Sequence, residues 1–219
     1  MTISIGRGKK MLAAGIMTQR RYDLKDLPRL TAGLVAIILS VFFICKENST
    51  STLLASAFFI LICTTDTLQS RIPNLYNLAL AITGFGYQAY SSGVSGIPTA
   101  LFGLLLGFSL LFPFYLLGGM GAGDVKALAA LGALVGPHQI LNVFFYMGIA
   151  GGILACLHYV FNRNLAKKFL QGLSTLKAFA YTREIKLLKP AATGEKLRFP
   201  YASAIAFGFF AYLTWGSIF

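Results

Sequence analysis

The sequence predicts an all-α, polytopic integral membrane bundle, and three observations carry that prediction. The 219 residues are 56% hydrophobic and 12% charged, with a mean hydropathy of +0.70. Apolar stretches recur along nearly the whole chain, and the basic residues collect between them on what alternating crossings make one side. Together these mark a chain that buries apolar surface in lipid as well as in its own core.

The apolar runs extend from Leu30 to Cys45, Thr52 to Thr65, Leu75 to Tyr90, Pro98 to Leu117, Val125 to Val135, Ile140 to Val160 and Tyr201 to Phe219. Several fall short of the roughly 20 residues of a full span. Val125 to Val135 is the shortest, and loop charge argues for its crossing. If all seven cross, one side receives the N-terminal segment, the loops around Arg71 and Lys126, and the segment from Phe161 to Pro200. That side then holds 18 of the 19 Lys and Arg residues, with only Lys46 opposite. By the positive-inside rule it is cytoplasmic, which puts the N-terminus on the cytoplasmic side of the membrane and the C-terminus on the other.

The net charge of +12 belongs to residues that flank apolar runs. It predicts attraction to a bilayer with anionic lipids and no role in binding nucleic acid. Arg7, Lys9 and Lys10 precede a short apolar patch without a small-residue cleavage site, so no removable signal peptide is expected. From Asn164 to Tyr181, apolar residues recur at helical spacing among Lys167, Lys168 and Lys177, the pattern of a basic amphipathic helix on the inner leaflet. Cys45, Cys63 and Cys156 sit within or beside apolar runs and offer neither a disulfide framework nor a metal site. No cofactor and no metal is expected.

Against this apolar background two carboxylates stand out. Asp66 ends the second run in Cys63-Thr64-Thr65-Asp66, and Asp124 opens the fifth in Gly121-Ala122-Gly123-Asp124-Val125-Lys126. A carboxylate in or at the end of a span is costly unless it has a task. Two spans separate the pair, so both face one side at similar depth. That parity suits a dyad sharing one proton, in which the ionised member draws a proton from water and the protonated member polarises a carbonyl. Each aspartate alone has a plainer reading, Asp66 capping a turn or pairing with Arg71, and Asp124 capping a helix or pairing with Lys126.

Gly118, Gly119, Gly121 and Gly123 surround Met120 and Ala122 just before Asp124. Such backbone is open to positive φ angles and to close approach by an extended substrate, and a helix N-terminus favours the Asp124 anion. Pro73-Asn74 reads as a break and cap before the third run, with Arg71 a juxtamembrane anchor.

Asp66 followed by Arg71-Ile72-Pro73-Asn74, then Gly121-x-Gly123-Asp124-x-Lys126, then Pro200-Tyr201 with Ala204-Ile205-Ala206 and Gly208, resembles the type IV prepilin peptidases. The compact enzymes of tight-adherence (Flp-type) pilus systems look nearest. The resemblance spans 52–219 as a six-helix core, leaving 1–51 as an extension with an extra span. It implies cleavage of a short basic leader from a prepilin, with Asp66 and Asp124 catalytic and Gly121, Gly123, Lys126, Arg71, Pro73, Asn74, Pro200 and Tyr201 supporting the site or the substrate. The paired-cysteine cytoplasmic domain of larger bifunctional relatives is missing, so methyltransferase activity is not expected. His138 and His158 lack the partners of a zinc or serine hydrolase site. An ion-coupled transporter or channel using the same aspartates is the competing reading, although a carrier would more naturally place carboxylates near the midplane.

Overall fold

A computed structural model describes residues 27–46, 49–69, 72–117, 119–161 and 201–218. The N-terminal basic cluster, Arg71, Gly118, the amphipathic segment from Asn164 to Tyr181, Pro200 and the side chain of His158 lie outside the described residues.

Among the described residues the architecture is all-α, as the apolar runs predict. The helices are α1 (Leu27–Lys46), α2 (Thr50–Gln69), α3 (Asn74–Ser92), α4 (Gly96–Leu116), α5 (Ala122–Val135), α6 (Pro137–Phe161) and α7 (Tyr201–Trp215). A 3-10 turn, Gly93–Ser95, links α3 to α4, and Gly93 takes a positive φ of 64° where α3 must stop. Pro137 opens α6 at the position where its missing N–H costs nothing. Several helices outrun the apolar runs because polar residues continue them, as Asp66, Thr67 and Gln69 do in α2.

Among the described residues three stretches are long and apolar enough to cross a membrane: Thr50–Gln69, Asn74–Leu116, which holds both α3 and α4, and Pro137–Cys156. Their outward faces are apolar as well. Leu75, Leu78 and Ile82 on α3, Phe102 and Leu105 on α4, and Phe145, Ile149 and Ile153 on α6 stand exposed at spacings of three or four residues. A helix apolar on both faces meets protein on one side and lipid on the other.

The short helix α5 lies at the centre. Val125 and every residue from Ala127 to Val135 are buried. At 14 residues it is about 21 Å long, less than the hydrocarbon core, and its neighbours enclose it. Small residues permit that enclosure. A β-carbon on Gly103 would strike the Gly132 carbonyl, and one on Gly107 would lie 2.6 Å from the Leu128 carbonyl, so α4 and α5 pack antiparallel with backbones nearly touching. Gly84 lets α3 approach the Leu134 amide in the same way, at 2.7 Å. Elsewhere aromatic rings fill the interior, with Phe43 stacked on Phe210 at 4.8 Å and Phe59 against Phe209 at 5.5 Å.

These pairings set direction. Gly136, with a φ of 92°, reverses the chain between α5 and α6. Gly208 packs on Val143 and Met147, and Gly151 approaches Ala204, so α6 returns antiparallel to α7. The end of α2, the starts of α3, α5 and α7, and the end of α4 thus gather at one end of the bundle.

Candidate active site

The gathered end is where both aspartates sit. Asp66 lies in the last turn of α2, and Asp124 is the third residue of α5. The charge of Asp66 acts on Asp124 across the gap between the two helices, so they share one electrostatic environment. Asp124 is held from its own helix end: the Gly121 N–H donates to its Oδ2 at 3.1 Å. That is half of a capping box, the other half being impossible because Gly121 has no side chain. The orientation of the two helix ends differs in sign. The start of α5 presents positive backbone dipole to Asp124, while the end of α2 presents negative dipole to Asp66.

The glycine segment is shaped otherwise than its composition suggests. Gly119, Gly121 and Gly123 do not take positive φ; Gly121 is extended, with φ −81° and ψ 150°. Their bareness serves packing. A β-carbon on Gly123 would sit 3.2 Å from Cβ of Ile72, and one on Gly121 would sit 3.1 Å from the Asp124 carboxylate itself. The α2–α3 connection, which follows Asp66, thereby rests directly on the turn that precedes Asp124.

Two further bonds tie this region together. Lys126 donates from Nζ to Oδ1 of Asn74 at 3.1 Å. Residues two apart on a helix point to different sides, so Lys126 reaches α3 while Asp124 looks toward α2. Pro73 is the N-cap residue of α3 in extended conformation and makes no side-chain cap, and Asn74 uses its side chain on Lys126 instead of capping. Tyr201 opens α7, donates its hydroxyl to the Gly119 carbonyl at 2.8 Å and lies within electrostatic reach of Asp124.

The structure therefore brings together Asp66, Asp124, Gly121, Gly123, Lys126, Pro73, Asn74 and Tyr201. Arg71 and Pro200 fall outside the described residues. Two contributors carried no assigned role in the sequence. Ile72 is the contact that keeps Gly123 bare, and buried Asn77 donates from Nδ2 to the Gly123 carbonyl at 3.2 Å. A buried amide inside the apolar run from Leu75 to Tyr90 was the available signal for Asn77. Among the described residues no group of three or more His, Cys, Asp or Glu side chains is placed to hold a metal ion.

Among the described residues the fold is an all-α bundle with helices fit to cross a membrane. Residues 53–156 match the type IV leader peptidase family, which bears out the resemblance read from the motifs. The matched stretch covers α2 to most of α6 and so contains both aspartates and the glycine turn. No curated protein and no solved structure matches the chain.

Proposed function

We propose that this chain is an aspartic endopeptidase of the inner membrane that removes the leader from type IV, Flp-like prepilins at the cytoplasmic face, with Asp66 and Asp124 as the catalytic pair. The observation that carries the proposal is the meeting of two carboxylates from the ends of different helices at one end of the bundle. Their place near helix ends also suits hydrolysis at the membrane surface better than ion passage through the midplane.

Two carboxyl groups within each other's electrostatic reach can share one proton at neutral pH. The ionised member takes a proton from a water as its oxygen attacks the scissile carbonyl carbon. The protonated member gives its proton to the carbonyl oxygen, and a tetrahedral diol forms. A proton then passes to the leaving nitrogen, the C–N bond breaks, and the dyad returns to its starting state. This route needs no cofactor. Bonds from Gly121, Asn77 and Tyr201 hold the turn before Asp124, so the pair stays aligned through the cycle.

The test is mass spectrometry of candidate prepilins incubated with the purified protein in detergent or lipid. Release of an intact leader by the wild type, and none by Asp66→Asn or Asp124→Asn, is the expected result. Substantial cleavage by either variant would remove the dyad from the mechanism.

A further inference from the structure

Helix α3 bears two buried side-chain amides, and both reach the same neighbour. Asn77 donates from Nδ2 to the Gly123 carbonyl at 3.2 Å, and Gln88 donates from Nε2 to the Leu134 carbonyl at 2.9 Å. Each pair is separated by the same 46 residues. The two bonds run between parallel helices and tie α3 to α5 near both ends of α5.

The register of α3 is in turn tied to Asp66. The short connection from Gln69 to Asn74 joins the end of α2 to the start of α3, and its Ile72 lies against Gly123. α3 thus stands between the helix that carries Asp66 and the helix that carries Asp124, and its amides fix how far one carboxylate is raised relative to the other.

Asn77 also bears a cost that a purely structural residue would not keep. Only 4% of it is exposed, and its Oδ1 has no hydrogen-bond partner. A buried acceptor left unpaired works against stability, and an apolar side chain of similar shape avoids that penalty. The retained amide is explained by what its Nδ2 holds in place.

We infer that Asn77 and Gln88 are positioning residues for proteolysis: as a pair of clamps they set the axial register of α5 on α3 and so the alignment of Asp124 with Asp66. This rests on the dyad proposed above. Gln88 makes the sharper case, because its bond lies about 16 Å along the helix from that of Asn77, counting 1.5 Å per residue. It has no local reason to affect the carboxylates.

The experiment uses the full chain in detergent with Asn77→Leu and Gln88→Met, each close in volume to the residue replaced. Steady-state cleavage of a prepilin, thermal unfolding and spin–spin broadening are read together. The broadening comes from nitroxides attached through Asp66→Cys and Asp124→Cys in a chain whose native cysteines have been replaced. Each clamp variant should lower kcat about tenfold or more with KM held within about twofold, as a small misalignment of reacting groups does. Asn77→Leu should unfold at the wild-type temperature or above it, and both variants should change the coupling between the labels. Wild-type kcat in Gln88→Met, unchanged label coupling, or a fall in kcat that only tracks lost folded protein would overturn the inference. Cleavage by Asp66→Asn would instead sink the dyad, and the label coupling would still report whether the clamps set the register.

Discussion

Substituting Gly123 tests whether the turn before Asp124 is bare because it must pack. A β-carbon there would lie 3.2 Å from Cβ of Ile72 and 3.6 Å from its carbonyl oxygen. Apolar carbons rest at about 3.5–4.0 Å, so the first added atom already demands a shift of roughly 0.3–0.8 Å, and the two methyls of Gly123→Val demand more. The Asn77 bond to the Gly123 carbonyl is already 3.2 Å long, and a shift of that size breaks it. Asp124 is the next residue and moves with the turn. Since a misplacement of about 1 Å costs on the order of a hundredfold in rate, Gly123→Val should lower kcat/KM ten- to a hundredfold, or about 1.4–2.7 kcal/mol of transition-state stabilisation. The assay is a double-mutant cycle on prepilin cleavage with Ile72→Ala, which removes the γ-carbons and frees the remaining one to give way. The double variant should recover a large part of the loss, with a coupling of about 1 kcal/mol or more and protein levels near wild type throughout. Strict additivity, or normal turnover in Gly123→Val alone, would refute the packing argument.

Other expected outcomes test the remaining parts of the account. Asp66→Asn and Asp124→Asn should each abolish leader release while the protein still inserts and purifies as a folded species, checked by mass spectrometry and size-exclusion chromatography. Turnover should depend on pH as a bell whose two limbs belong to the coupled pair, and a single-limbed profile in the wild type would argue against a shared proton. Gly132→Leu should remove folded protein outright, because the Gly103 backbone occupies the space its side chain needs; unfolding measured by circular dichroism would show it. In a cysteine-free chain, single cysteines beside Asn74 and Lys126 should label only when the cytoplasmic face is opened, and one near Ser217 should label in intact cells. Opposite sidedness for the first two would separate the aspartates.

Both aspartates were legible because a carboxylate at the end of an apolar run contrasts with everything around it, and counting the spans between them put them on one side. Helix order was legible for the same reason. The helix ends were less so: α2 runs on through Asp66 to Gln69 because threonine and glutamine continue a helix that hydropathy alone would close at Thr65. Positive φ, which the glycine segment leaves open, is not taken at Gly119, Gly121 or Gly123. Composition announces permissive backbone, but Gly123 is bare because Ile72, 51 residues earlier by sequence number, lies against it. Lys126 beside Asp124 suggested an ion pair, and its partner is Asn74. The Asn77 and Gln88 bonds were beyond reach, since their acceptors are backbone carbonyls and a carbonyl leaves no mark on the sequence.

The enclosure of α5 divides the two carboxylates by what holds them. α2 presents Leu53, Leu61 and Leu68 outward, so in a bilayer its tilt and depth answer to the acyl chains around it. α5 is enclosed by protein from Ala127 to Val135, and its depth is set by neighbouring backbones. A thicker or thinner membrane consequently presses on Asp66 through its own helix and on Asp124 only through the helices packed around it. Reconstitution in lipids of graded chain length is then a way to tune the distance between the two carboxylates without changing a single residue.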